Sequence, residues 1–234
     1  AVQRVKKLTG LKDLGVESII FAERHPGRDP QGHYYANFGY SCGDENLWLH
    51  GKDGGRLCKL DVATGRIDAL VDDPKGSIRD PQVYYDAKKV LFSYRKGGTH
   101  FYNLYEIGID GKNLRQITKG AWDDIEPAYL PDGGFVFASA RCKRYSGCWL
   151  AQTAILFRCD SDGGNRRMLS SGSFTENTPS VLPDGRVLYT RWEYVNRDPV
   201  VFHHLWTMNP DGTNQAAFFG NMHPGGVFID ARPI

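Results

Sequence analysis

A chain of 234 residues, 41% apolar and 12% aromatic, carries enough hydrophobic side chain for one large all-β domain or two small ones. Its net charge is only +2, with charged residues at 24%, so it offers no basic field of the kind that nucleic acid or an anionic membrane surface requires. It has no apolar run of about 18 residues that could span a membrane, and five cysteines suit neither a disulfide-dense scaffold nor a thiol-free exported protein.

The opening AVQRVKKLTG lacks the apolar core of a signal peptide, so the chain is expected to begin after processing or to be cut from a longer polypeptide. Residues 1–17 read as an N-terminal linker, the one stretch where helix is expected, and residues 18–234 as a single domain. SIIFAER then gives an apolar strand ending in Arg24. After it comes HPGRDPQGHYYANFGYSCGDENLWLHGKDGG, a loop whose length marks it as functional or disordered and whose aromatics argue for order. LCKLDVATGRIDALV follows, two strands around a Thr-Gly turn.

From here the chain repeats. RDPQVYYDAKKVLFSYR from Arg79, IEPAYLPDGGFVFASAR from Ile125 and NTPSVLPDGRVLYTR from Asn177 each give a proline, a short strand, a turn, an apolar strand and an arginine. LYEIGIDGKNLRQIT, LFRCDSDGGNRRMLS and LWTMNPDGTNQAAFF each add two strands around an Asp-Gly turn, where glycine supplies the positive φ of a tight hairpin. Pro81, Pro127, Pro179 and Pro233 lie 46 to 54 residues apart, the period of a propeller blade with four strands, A to D. The expected fold is therefore an all-β β-propeller of four-stranded blades, with about four blades visible. The first unit lacks strand A, and GVFIDARPI reads as another strand A. That strand either closes a four-bladed ring or belongs to a propeller of six to eight blades. The larger ring is favoured, because four is the low end of the usual range.

Antiparallel order puts the tight A–B and C–D turns on one face of the disc and the B–C loops and D–A links on the other. Function tends to live on long loops held by a rigid scaffold. All seven histidines, His25, His33, His50, His100, His203, His204 and His223, fall in the long-loop set. Aligning the C strands on Leu60, Ile107, Cys159 and Met208 puts Cys58 and Cys159 on the buried face as core filling. That leaves Cys42, Cys142 and Cys148 with the histidines.

Thiolate with imidazole suits zinc, or iron in a haem setting. Cys42 shares a loop with His25 and His33 and is the metal candidate, with zinc the expected ion. Cys142 and Cys148 admit a disulfide that pins their loop, ligation at a metal or haem edge, or unpaired packing. Arg95, Arg141 and Arg191 end successive B strands; they either bridge blades through carboxylates such as Asp80, Glu126 and Asp124 or contact an anionic ligand at the channel mouth. FHHLW is expected to turn one of His203 and His204 inward, hydrogen-bonded within the blade, and the other outward. The ligand-binding set on the long-loop face is Arg95, His100, Arg141, Tyr145, Arg191, His203, His204 and His223. If the chain instead belongs to a polysaccharide lyase or glycoside hydrolase, its candidates are His33, His100, Arg95, Tyr145 and His204. A protein-interaction propeller without catalysis is the third reading. No GxSxG elbow, P-loop or dinucleotide fingerprint is present.

The strand–PDG–strand–Arg unit resembles the TolB-type propeller repeat. NFGYSCGDE, GGRLCKLDVATG, DDIEPAYLPDGGFVFASARCKR, NTPSVLPDGRVLYTRWEYVNRD and HHLWTMNPDGTNQAAFFGNMHPG together resemble the propeller domain of the hydrazine synthase alpha subunit family, from about residue 18 to 234. That resemblance implies an exported, periplasmic, multidomain protein whose propeller continues past Ile234, with other domains or subunits as partners. It also implies a zinc ion and a c-type haem beside the propeller. The CxxCH attachment sequence is absent, so a haem would be held non-covalently or by another domain, and hydrazine chemistry does not carry over.

Overall fold

The computed structural model describes residues 10–25, 40–41, 44–49, 52–146, 152–193, 202–220 and 226–233. A helical turn at 10–13 precedes the first strand, and the other regular elements among the described residues are strands. Blade 1 is a three-stranded sheet of β1 (Ser18–Glu23), β4 (Gly55–Asp61) and β5 (Ile67–Asp73). A separate two-stranded sheet, β2 (Tyr40–Ser41) with β3 (Asp44–Trp48), lies in the connection between β1 and β4, so the long first loop contains a hairpin that composition did not foretell.

The next three blades are complete four-stranded sheets. Blade 2 is β6 (Ser77–Val83), β7 (Lys89–Arg95), β8 (Asn103–Gly108) and β9 (Arg115–Gln116). Blade 3 is β10 (Asp124–Tyr129), β11 (Phe135–Tyr145), β12 (Gln152–Cys159) and β13 (Arg167–Met168). Blade 4 is β14 (Glu176–Val181), β15 (Val187–Trp192), β16 (His203–Met208) and β17 (Ala216–Phe219).

The turns form as their residues dictate. Asp132 and Asp184 each accept the backbone N–H two residues on, and the intervening Gly133 and Gly185 take φ of 85° and 87°. At the same place in blade 2 stands Ala87, held at φ 56°.

The blades stack face to face, so alternation along a strand sorts side chains between two neighbours rather than between core and solvent. All eight residues of β12 are buried. Ile155, Phe157 and Cys159 join an apolar cluster with Leu91 and Leu104 of blade 2, while Ala154 and Leu156 join one with Val187, Tyr189 and Met208 of blade 4. Cys58 and Cys159 are core filling as expected, and burial pushes the Cys159 thiol up to about 12. The expectation of one buried face per strand is corrected in the same way, since both faces of β12 are covered.

The segment 226–233 runs along blade 4. Ser180 donates to Ala231 O at 3.1 Å, Thr190 to Phe228 O at 2.9 Å, and Arg232 to Pro179 O at 3.1 Å. Among the described residues it does not pair with β1, so it does not complete the three-stranded first blade.

Candidate functional site at the channel axis

Strand A is the innermost strand of each blade, and in all three complete blades it carries a bulge at the same place. The pairing slips between Arg79 and Gln82, between Ile125 and Ala128, and between Asn177 and Ser180. At each slip the residue before proline is left-handed: Asp80 at φ 56°, Glu126 at 53° and Thr178 at 49°, with Asp230 at 55° in the segment beyond blade 4. A non-glycine residue there is strained, a β-branched threonine most of all, and such strain persists only where its surroundings fix it.

Here the fixing groups are the side chains of the same residues. Asp80 Oδ2 accepts the backbone N–H of Glu126 at 3.1 Å. Glu126 Oε2 accepts the N–H of Thr178 at 2.6 Å, and Thr178 Oγ1 accepts the N–H of Asp230 at 3.3 Å. Each blade thus holds the bulge of the next. Arg79, 3% exposed, ties the first link from behind, donating to Asp80 at 2.6 Å and Glu126 at 3.2 Å.

These residues line a cavity of about 150 Å³ walled by Arg24, Arg79, Asp80, Glu126, Asp230 and Arg232, with Thr178 and Gln82. The wall carries Arg24, Arg79 and Arg232 together with Asp80, Glu126 and Asp230, so it can grip a polar ligand that carries both donors and acceptors. Sequence reading placed Asp80 and Glu126 as partners of the strand-end arginines and missed the bulge. A polar residue precedes Pro81, Pro127 and Pro179, but the position before a proline ordinarily reads as extended backbone.

Arg95, Arg141 and Arg191 do not form a column. In register terms Ser93, Ala138 and Thr190 are equivalent, so the three arginines stand two, three and one residues further on. Arg95, almost fully buried, donates to Asp53 at 2.9 Å and anchors the end of the first long loop. Leu49 of the same loop is buried in the apolar cluster of Tyr102, Ile125 and Trp192, contributed by blades 2, 3 and 4. Arg141 makes two 2.8 Å bonds from one nitrogen to the two oxygens of Asp124, whose carboxyl burial nevertheless pushes up. Arg191 reaches only to 4.0 Å from Glu176.

His203 and His204 lie in β16 rather than in a loop, and both are buried, because the segment 226–233 bridges to His203 and covers that side. His203 stacks on Trp192 at 5.4 Å, and burial pushes it down to about 4. His204 Nδ1 lies 2.8 Å from Glu193 Oε2, a bond within the blade, but the outward turn expected of the other histidine does not occur, since His203 is buried too. His25 lines a second cavity with Glu23, Arg56, Asp72 and Pro74. Tyr145 is exposed at the end of β11, and His100 follows β7 on the surface. Cys142 is a free, half-buried thiol packed beside the blade 2–3 cluster. Cys42, His33, Cys148, His50 and His223 lie outside the described residues, and with them the zinc set and the disulfide. Among the described residues, no three ligating side chains converge on a point that could hold a metal.

No protein-family model matches the chain, and no curated protein matches it in sequence. Solved structures do. Hydrazine synthase from Kuenenia stuttgartiensis superposes with a TM-score of 0.68 at 18% identity over 89% of this chain. TolB from Acinetobacter baumannii gives 0.53 at 17% over 70%, and oligogalacturonate lyase from Vibrio parahaemolyticus 0.51 at 15% over 86%. The fold is a β-propeller. At these identities the likeness shows the propeller fold and not an activity. The chain spans 32% of the matched hydrazine synthase chain, 37% of the TolB chain and 50% of the lyase. No helix of the described propeller is long and apolar enough to cross a membrane.

Proposed function

We propose that this propeller is one domain of an exported, hydrazine-synthase-alpha-like protein, acting as a rigid scaffold and binding surface with its ligand or partner domain seated at the channel mouth on the long-loop face. The observation that carries the reading is the strained inner ring. Three blades and the segment beyond them each keep a non-glycine residue left-handed at the wall of one charged cavity, and a chain needing only a core has no use for that strain. The ring of which these blades form an arc is proposed to hold six to eight.

A zinc ion at Cys42, His25 and His33, or a haem held by a neighbouring domain, belongs to the same proposal. Of those three ligands only His25 is described, so no chemical step is routed through the metal. The test is elemental and optical analysis of the full-length protein from its periplasmic extract, alongside assays on polyuronides. One zinc per chain or a Soret band supports the scaffold reading, and a co-purifying partner with neither favours a protein-interaction propeller without catalysis. Release of unsaturated uronides without any of these overturns it in favour of a lyase.

A further inference from the structure

Two cavities meet on the axis. The first is the polar one of about 150 Å³ at the bulges. The second, of about 230 Å³, lies toward the tight-turn face and is walled by Val83, Tyr85, Ala128, Tyr129, Val181 and Pro233. Gln82 and Arg232 line both, so one molecule can lie across the two.

The second wall is apolar and partly open. Val83, Tyr129 and Val181 are each the last residue of a strand A. Tyr85 stands where blades 3 and 4 have Pro131 and Pro183, directly before the aspartate of the turn. Its hydroxyl donates to Tyr129 O at 2.9 Å, which fixes the ring, yet the residue is 65% exposed. Val83 beside it is 45% exposed. A fixed aromatic ring next to an exposed valine gains by being covered with apolar surface.

The first wall carries both signs of charge. Arg79 and Glu126 are buried and bonded to each other, so the charges a ligand can reach are those of Arg24, Asp80, Asp230 and Arg232. Arg232 gives Nη1 to Pro179 O at 3.1 Å, which orients the guanidinium. Its Nε makes no hydrogen bond among the described residues, and Nη2 stands 3.6 Å from Asp230 Oδ1. The Asp80 carboxylate makes its bonds among the described residues through Oδ2, and the Gln82 amide makes none there. A lone anion at this wall meets two carboxylates, and a lone cation meets two guanidiniums. A ligand with both charges on neighbouring atoms escapes either repulsion. The clasps between bulges hold these groups in place before anything binds, which lowers the cost of binding.

We propose that the two cavities together bind a free α-amino acid with an apolar side chain. Arg232 takes the carboxylate with its Nε–Nη2 edge, and Asp80 Oδ1 with the Gln82 amide oxygen takes the ammonium. The side chain lies against Val83, Tyr85 and Val181. A peptide terminus carries only one of the two charges, so the free amino acid is the better fit. This inference rests on the reading of the axial cavity as a binding surface and names its ligand; the zinc, the haem and the partner domain have no part in it.

The test is calorimetric titration of the full-length protein with L-phenylalanine. The comparators are hydrocinnamate, which lacks the ammonium, phenethylamine, which lacks the carboxylate, and glycine, which lacks the side chain. L-phenylalanine is expected to bind saturably, with either single-charge analogue about tenfold weaker and glycine about thirtyfold weaker. R232Q is expected to weaken L-phenylalanine about tenfold and to leave phenethylamine unchanged. Y85P installs the residue of blades 3 and 4, so it keeps the turn, and it is expected to weaken L-phenylalanine but not glycine. No saturable heat with L-phenylalanine, or a single-charge analogue that binds as tightly, overturns the proposal, as does full affinity in both variants. Zinc or a Soret band found without amino-acid binding ends this proposal and leaves the scaffold reading standing; binding without either keeps the site and removes the metal and the haem.

Discussion

Glu126 on blade 3 holds the backbone of Thr178 on blade 4, its Oε2 accepting that N–H at 2.6 Å, while its Oε1 takes the buried Arg79 of blade 2. One carboxylate thus joins three successive blades. Truncation in E126A leaves a buried guanidinium short of a partner and Thr178 without its anchor. Breaking a buried pair on one side costs about 3 kcal/mol, while E126Q, which keeps an acceptor, is expected to lose about 1 kcal/mol. Urea denaturation of the two variants checks this; equal midpoints for E126A and wild type would remove the inner ring from any account of stability.

Ala87 stands where the equivalent turns carry Gly133 and Gly185, yet it is held at φ 56°. The left-handed region costs an L-residue about 1–2 kcal/mol, partly offset because glycine is freer when unfolded. A87G is therefore expected to stabilise by about 0.5–1 kcal/mol, read as a raised melting temperature. A lowered one would mean that the turn relaxes in solution.

Leu49 belongs to a connection rather than a strand, but it is buried with Tyr102, Ile125 and Trp192 of three different blades. L49A is expected to cost about 2–3 kcal/mol, as for a core leucine. A change below about 0.5 kcal/mol, the usual surface value, would detach the first long loop from the core.

Burial pushes His203 down to about 4. The unfolded chain, with an ordinary histidine near 6.5, then binds the proton first, so this residue's contribution to stability is present above about pH 6.5 and is lost as the pH falls toward 4. Glu176 and Asp124 act in the opposite sense: their raised carboxyls favour the folded state below the ordinary carboxylate range, and that contribution is lost as the pH rises through their folded values. H203Q is expected to flatten the stability profile between pH 6.5 and 4.5 by comparison with wild type. Identical profiles would show that His203 titrates normally in the fold.

The strands were legible because the blade repeats its punctuation: an Asp-Gly turn, a proline and an apolar pair of strands at a fixed period. Cys58 and Cys159 could be assigned to the core from alternation alone. The bulges could not be read, because the residue before a proline is biased toward extended backbone and Asp80, Glu126 and Thr178 read as ordinary strand. Arg95, Arg141 and Arg191 align by letter but not by register, since the number of residues between the paired position and the arginine differs from blade to blade.

The hand-to-hand links along the inner strands also dictate where such a polypeptide can be cut or joined. A segment excised from one left-handed residue to the next removes one donor and one acceptor together, so the flanking units can still clasp. Any other boundary strands a lone backbone amide at the wall of the channel. Whole-unit duplication or circular permutation at the prolines is thus the tolerant route for rebuilding this ring, and half-unit splices are not.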